Sequence, residues 1–151
     1  MMEKKEEHIL LVEDESSIVR QYQAYLSSKY ANILTAGNGK AALEIFQAKK
    51  DEGTQIPVIV TDVEMPEMDG ITLIHRVLAI CPETQFIVIS MLHDKHHVSL
   101  LTAKGVASLP KPVHGLHLQI AVGSALIRYS EMKWMSEMKR LVEKAPWLHQ
   151  A

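Results

Sequence analysis

The amino-acid sequence predicts an α/β domain built as a doubly wound, five-stranded parallel sheet. Three features lead there. The short apolar runs are near-continuously hydrophobic and rich in β-branched residues, the pattern of strands covered on both faces. The stretches between them carry apolar residues at helical spacing. The two kinds alternate, β-α-β-α-β-α-β-α-β-α, an order that implies right-handed crossovers and helices on both faces of the sheet.

Taken in order, the first strand is His8-Ile9-Leu10-Leu11-Val12. Ser16 or Ser17 is then placed to cap a helix whose apolar side is Ile18, Val19, Tyr22 and Leu26, with Glu13 and Asp14 as alternative caps. Ala31-Asn32-Ile33-Leu34-Thr35-Ala36 is more polar and reads as an edge strand. Gly37-Asn38-Gly39 lacks the spacing of a dinucleotide fingerprint and reads as a turn. The next helix has Ala42, Leu43, Ile45 and Phe46 on its apolar side. Pro57-Val58-Ile59-Val60-Thr61 is the third strand, opened by a proline where a missing N–H is tolerated. Gly70 precedes a helix carrying Ile71, Leu73, Ile74, Val77 and Leu78, which ends at Cys81 before Pro82. Gln85-Phe86-Ile87-Val88-Ile89 is the fourth strand. From Lys95 a shorter helix carries Val98, Leu100 and Leu101, with Gly105 placed to end it. Val106-Ala107-Ser108-Leu109 makes a weak fifth strand. The last helix starts near Gly115 and runs to Lys144, where Pro146 stops it.

Composition bounds the function. A chain of 151 residues fits one domain. Sixteen basic against 18 acidic residues leave a net charge of −2, so no basic field draws it to nucleic acid. No run approaches the ~18–20 apolar residues of a membrane span. The charged start, Met1 to Glu7, is followed by only a short apolar run, which argues against a secretory signal. A single cysteine, Cys81, excludes an intrachain disulfide framework and fits the reducing cytoplasm.

The chemistry lies in what ends each strand. The first run ends in Glu13-Asp14, the third in Asp62, the fourth in Ser90 and the fifth in Lys111-Pro112. In an open parallel sheet the ligand crevice lies outside the carboxyl ends of the strands, so these groups converge on one edge. Three carboxylates together repel one another unless a cation sits among them. A hard divalent ion such as Mg2+ answers that need and keeps waters free for phosphate oxygens. Lys111 adds a positive charge and Ser90 a hydroxyl donor. The set suits a transferring phosphoryl group.

Leu10-Leu11-Val12-Glu13-Asp14-Glu15, Thr61-Asp62-Val63-Glu64-Met65-Pro66-Glu67-Met68-Asp69-Gly70, Ile89-Ser90 and Leu109-Pro110-Lys111-Pro112 resemble the receiver domain of two-component response regulators. The resemblance covers residues 8–128 and implies a flavodoxin-like (βα)5 fold, with 129–151 a C-terminal helical extension or a truncated linker to an output domain. It implies that Asp62 is the phosphoacceptor, charged from a sensor histidine kinase or a histidine phosphotransfer protein. It implies that Asp14, Asp62 and the backbone carbonyl of Glu64 ligate Mg2+ (or Mn2+) directly, with Glu13 acting through a metal-bound water. Ser90 and Lys111 would bind phosphoryl oxygens. Pro66 and Gly70 would shape the turn after Asp62, and the Lys111-Pro112 peptide would be cis. Such a domain modifies only itself. Two other readings stand beside it. A haloacid-dehalogenase-like phosphatase or phosphotransferase needs a second aspartate where Glu64 stands, and an unphosphorylated pseudo-receiver would not need the intact acidic set.

The chain departs from the family pattern in three places. Ser108 occupies the position, three residues before Lys111, where an aromatic usually couples to the switch. Met91 replaces a small residue, and Glu64 adds a charge near the mouth. These departures predict that the surface from Lys95 to Tyr129 responds through loop and helix shifts rather than through a ring. His93-Asp94-Lys95-His96-His97 has potential zinc ligands but reads as a solvated surface. In the extension, Leu116, Ile120, Gly123, Ile127, Trp134, Met138 and Leu141 approximate a 3–4 spacing that lapses around Ser130. A coiled-coil homodimer through this helix, packing back on the domain, and a frayed stub all remain open.

Overall fold

A computed structural model of the chain describes residues 3–91, 95–145 and 147. Five strands, β1 (Lys5–Val12), β2 (Tyr30–Ala36), β3 (Val58–Asp62), β4 (Gln85–Ser90) and β5 (Ala107–Pro110), alternate with five helices. The helices are α1 (Ser16–Leu26), α2 (Gly39–Asp51), α3 (Gly70–Ile80), α4 (Lys95–Ala103) and α5 (Gly115–Glu143). The strands form one parallel sheet in the order β2-β1-β3-β4-β5. The direction in which successive strands are added reverses at β1, which places the crevice between the ends of β1 and β3.

Two cores arise from the alternation of side chains along the strands. Ile9, Leu11, Val58, Val60, Ile87 and Ile89 pack on one face against Tyr22 and Leu26 of α1 and Leu118, Val122, Ala125 and Leu126 of α5. Leu10, Val12, Ile59, Phe86 and Val88 pack on the other against α2, α3 and Leu101 of α4. This double coverage explains why β1, β3 and β4 are apolar without alternation. The more polar β2 lies at one edge, as its sequence predicts, and β5 at the other.

Local chemistry sets the helix ends. Asn38 caps α2 by accepting from the Ala41 N–H, so the segment read as a plain turn also starts a helix. Asp69 does the same for α3 through Thr72. Gly105, at φ +87°, terminates α4 as expected: its N–H reaches the Thr102 carbonyl and that of Val106 reaches Leu101. The capping expected for α1 does not occur. Its N-cap is Glu15, without a side-chain bond, and Ser16 and Ser17 fall inside the first turn. Glu13 is turned into the protein, which removes it from the helix end. On α4, Leu101 is buried, Val98 is partly buried and Leu100 is exposed.

The last helix is continuous for 29 residues, with Lys144 as its C-cap. Beyond Leu126 it is tied to the sheet by few contacts. Arg128 donates to Gln85 Oε1 at 3.3 Å, the Gln85 amide lies 3.1 Å from Met132 Sδ, and the Tyr129 hydroxyl bonds Gln55 Oε1. From Lys133 to the end of the helix most side chains are exposed. The helix therefore neither folds back nor frays within the described residues. Pro146, the expected stop, and His93 and Asp94 of the histidine-rich segment lie outside the described residues. No helix of the described residues is long and apolar enough to cross a membrane.

Candidate functional site

The site grows from strand ends. β1 stops at Val12, and Glu13 continues the strand direction through its N–H to the Ala36 carbonyl at 3.0 Å. β3 carries Asp62 as its last residue, paired with Ile89 of β4. Ser90 ends β4 and pairs with Pro110 of β5, and the Lys111 N–H bonds the Ser90 carbonyl at 2.9 Å. The parallel register thus delivers Glu13, Asp14, Asp62, Ser90 and Lys111 to one edge. Carboxylate oxygens of Glu13, Asp14 and Asp62 lie within 4.8 Å of one another. Glu13 is only 3% exposed and Asp62 7%, whereas Asp14 is solvent-exposed.

Both oxygens of Asp62 are held. The Val63 N–H donates to Oδ1 at 2.8 Å, and Lys111 Nζ donates to Oδ2 at 2.7 Å. The Lys111-Pro112 peptide is cis. Burial alone would lower the Lys111 pKa, but the bond to Asp62 and the charges of Asp62 and Glu13 outweigh it, so the ammonium is retained. Glu13 behaves oppositely. Burial, then a hydrogen bond to Asp62 and the charges of Asp62 and Asp14, push its pKa up to about 8. Glu13 therefore holds a proton more readily than a free carboxyl, first because burial disfavours its charged form and then because Asp62 and Asp14 stand beside it. An all-oxygen donor set with surplus negative charge suits a hard cation.

The loop after β3 is shaped tightly. The Met68 N–H bonds the Pro66 carbonyl across Glu67, which sits at φ +67°, a γ-turn in the left-handed region. The chain then returns to the Asp62 backbone. A Cβ at Gly70 would lie 2.1 Å from the Asp62 carbonyl oxygen, so only glycine fits. A Cβ at Gly39 would likewise lie 2.4 Å from the Met68 carbonyl oxygen. Thr61 closes the strand end by donating to the Asp62 carbonyl at 2.9 Å. Glu64 is exposed at the loop mouth.

Two features were not legible as site residues. Tyr22 reads as an ordinary apolar position of α1, yet with Met91, Lys111 and Pro112 it lines a cavity of about 240 Å3 beside the site. Its phenol is pushed up by burial first and then by the charges of Glu13 and Asp62. The γ-turn at Glu67 likewise carries no sequence signal, because no glycine or asparagine marks it. Ser108 lies exposed on β5, opposite Val88 of β4. No aromatic ring occupies that place.

Comparison with known proteins agrees with this geometry. The model of the response regulator receiver domain matches residues 9–122. The sensor kinase CckA of Brucella abortus is 34% identical over 105 residues, which cover 69% of this chain and 11% of that protein. A protein-glutamate methylesterase/protein-glutamine glutaminase of Pseudomonas fluorescens is 36% identical over 107 residues, 68% of this chain and 27% of that protein. The chain thus spans a small part of the curated relatives it matches. Among solved structures, a response regulator receiver domain protein from Clostridium thermocellum superimposes with a TM-score of 0.75 at 27% identity, over 83% of this chain and 98% of that one. The signal receiver domain of a LuxO-type repressor from Vibrio parahaemolyticus shares the fold, with a TM-score of 0.75 at 22% identity over 87% and 98% of the two chains. An intact acidic cluster, a lysine bonded to the strand-end aspartate and a family match across the sheet lead to one conclusion: this chain belongs to the response regulator receiver domain family, the signalling domain of two-component and phosphorelay systems, in which an aspartate is typically phosphorylated.

Proposed function

We propose that the chain is a phosphorylation-controlled switch in which Asp62 accepts a phosphoryl group from a phosphohistidine of a sensor kinase or a histidine phosphotransfer protein. The observation that carries this reading is the Asp62 carboxylate, fixed by the Val63 N–H and Lys111 and ringed by Glu13 and Asp14. An oxygen of Asp62 forms the new P–O bond while the P–N bond to the donor imidazole breaks; the imidazole leaves and takes a proton from solvent. Lys111, held ionised, is the group to pass from the carboxylate to a phosphoryl oxygen. Ser90, at the end of the adjacent strand, supplies a hydroxyl donor.

Glu13, Asp14, Asp62 and the Glu64 backbone carbonyl are the groups that would hold Mg2+ (or Mn2+). The convergence of three carboxylates whose oxygens lie within 4.8 Å of one another supports that fit. The ion, when bound, neutralises charge on the phosphoryl oxygens. Pro66, Gly70 and Pro112 shape the loops around these donors. In this reading residues 8–128 are the cytoplasmic switch and 129–151 a C-terminal helical extension or a truncated linker to an output domain.

The test is Mg2+-dependent labelling by acetyl phosphate, read by intact mass. One phosphoryl group per chain is expected, and none on Asp62→Asn. A gain that survives that substitution moves the acceptor elsewhere. Many turnovers on phosphate esters without stable labelling would indicate an enzyme instead.

A further inference from the structure

The end of the sheet opposite the acid cluster carries a cavity that phosphoryl transfer does not use. Ile56, which lines it, precedes Asp62 by the length of β3, so the two sites lie roughly 20 Å apart. Its volume of about 240 Å3 gives room for roughly eight water-sized groups. Phe46 of α2 and Ile56, both buried, supply an apolar wall. The polar groups around that wall are unused by the fold. Thr84 is only 4% exposed, and its hydroxyl has no hydrogen-bond partner among the described residues. No polar side-chain atom among them is both unpaired and sealed from solvent, so this hydroxyl opens into the cavity. Lys50, Lys133 and Glu83 also line it, and none of the three forms an ion pair among the described residues. Lys133 Nζ lies over the Tyr129 ring, 6.0 Å from its centroid. The pKa of the Tyr129 phenol is pushed up to about 12, by burial first and then by Glu83 and Cys81, so both stand near its hydroxyl.

Two ammonium groups and one carboxylate around an apolar wall complement a ligand that carries both signs of charge on a small apolar body. A simple acid would set its charge beside Glu83, and a simple amine beside Lys50 and Lys133; each like-charge contact costs binding. We propose that this cavity binds a free α-amino acid with a compact apolar side chain, of the size of leucine. Its carboxylate meets Lys50 and Lys133, its ammonium meets Glu83, and its side chain rests on Phe46 and Ile56. Tyr129 and Lys133 belong to α5 where that helix leaves the domain, whereas the other walls belong to α2 and to the segments entering β3 and β4. The bound amino acid therefore ties the root of the helical extension to the domain body and stabilises that junction by mass action.

Cys81, the single cysteine of the chain, lines the same cavity and serves as a built-in reporter. On the full chain, saturating leucine is expected to slow the reaction of this thiol with an aromatic disulfide reagent at least about fivefold, and calorimetry gives the affinity. Isocaproate, which lacks the ammonium, and isoamylamine, which lacks the carboxylate, are each expected to bind at least about tenfold more weakly. Glu83→Gln and Lys133→Gln are each expected to weaken leucine binding about tenfold; neither side chain is fully buried, so the fold survives. Amide exchange from Tyr129 to Met135 should slow with leucine present. No residue of this cavity belongs to the phosphoacceptor site, so Asp62→Asn should bind leucine unchanged. No protection of Cys81 by leucine, isoleucine, valine or methionine up to about 10 mM would overturn the proposal. Equal binding of isocaproate, or indifference to both Glu83→Gln and Lys133→Gln, would overturn it as well.

Discussion

The raised pKa of Glu13 couples metal binding to the loss of its proton. The carboxyl titrates at about 8 because it is buried and donates to Asp62. A cation among Glu13, Asp14 and Asp62 requires that proton to leave. A group of that pKa is about 1% ionised at pH 6 and about 10% at pH 7. The apparent Mg2+ affinity is therefore expected to rise about tenfold per pH unit between 6 and 7, flattening above 8. About one proton should be released per ion at pH 6 and about half a proton at pH 8. Calorimetric titration in two buffers of different ionisation enthalpy counts that proton directly. Glu13→Gln cannot carry the charge and should lose the linkage, with weaker binding and a flat pH profile. The same shift fixes a sign for stability. A pKa higher in the folded than in the unfolded state contributes stability that is present below pH 4.5 and lost as pH rises through about 8. In chelator the melting temperature should fall between pH 5 and 8, and Glu13→Gln should remove much of that slope. Metal binding without proton release at pH 6–7, or unchanged release from Glu13→Gln, would refute the account.

Other expectations can be checked separately. Lys111→Met leaves Asp62 beside Glu13 without its cation and should cost about 1–3 kcal/mol by denaturant titration, with labelling by acetyl phosphate slowed more than about tenfold. Gly70→Ala forces a methyl into the Asp62 carbonyl and should destabilise by about 1–3 kcal/mol and reduce Mg2+ affinity, because the loop carrying Glu64 must shift. Leu73→Ala, at a fully buried position of α3, should cost about 2–5 kcal/mol while leaving the pH dependence of metal binding unchanged. With beryllofluoride bound, amide exchange between Lys95 and Tyr129 should slow despite the missing ring at Ser108; no change there would place the readout elsewhere.

Much of the fold was legible because its determinants are local or periodic. Continuous apolar runs announced β1, β3 and β4, and the polar character of residues 31–36 announced the edge position of β2. The α1 cap was misassigned for a physical reason. A serine at a helix start is a good cap only if its backbone stays extended, and here the extended residue is Glu15.

By itself, the order of residues determined which chemical groups stand at strand ends, and parallel topology then required them to meet. Three acids, a serine and a lysine in that order were enough to specify the kind of site. Tertiary structure alone decided their electrostatic state. Burial of Glu13 against Asp62, while Asp14 stays in water, decides which carboxyl keeps a proton. Desolvation and charge pairing depend on depth and distance, and no spacing along the chain encodes either. The same holds for α5: its apolar spacing can be read from the sequence, but its exposure on the side away from the sheet became visible only once the inner face was packed.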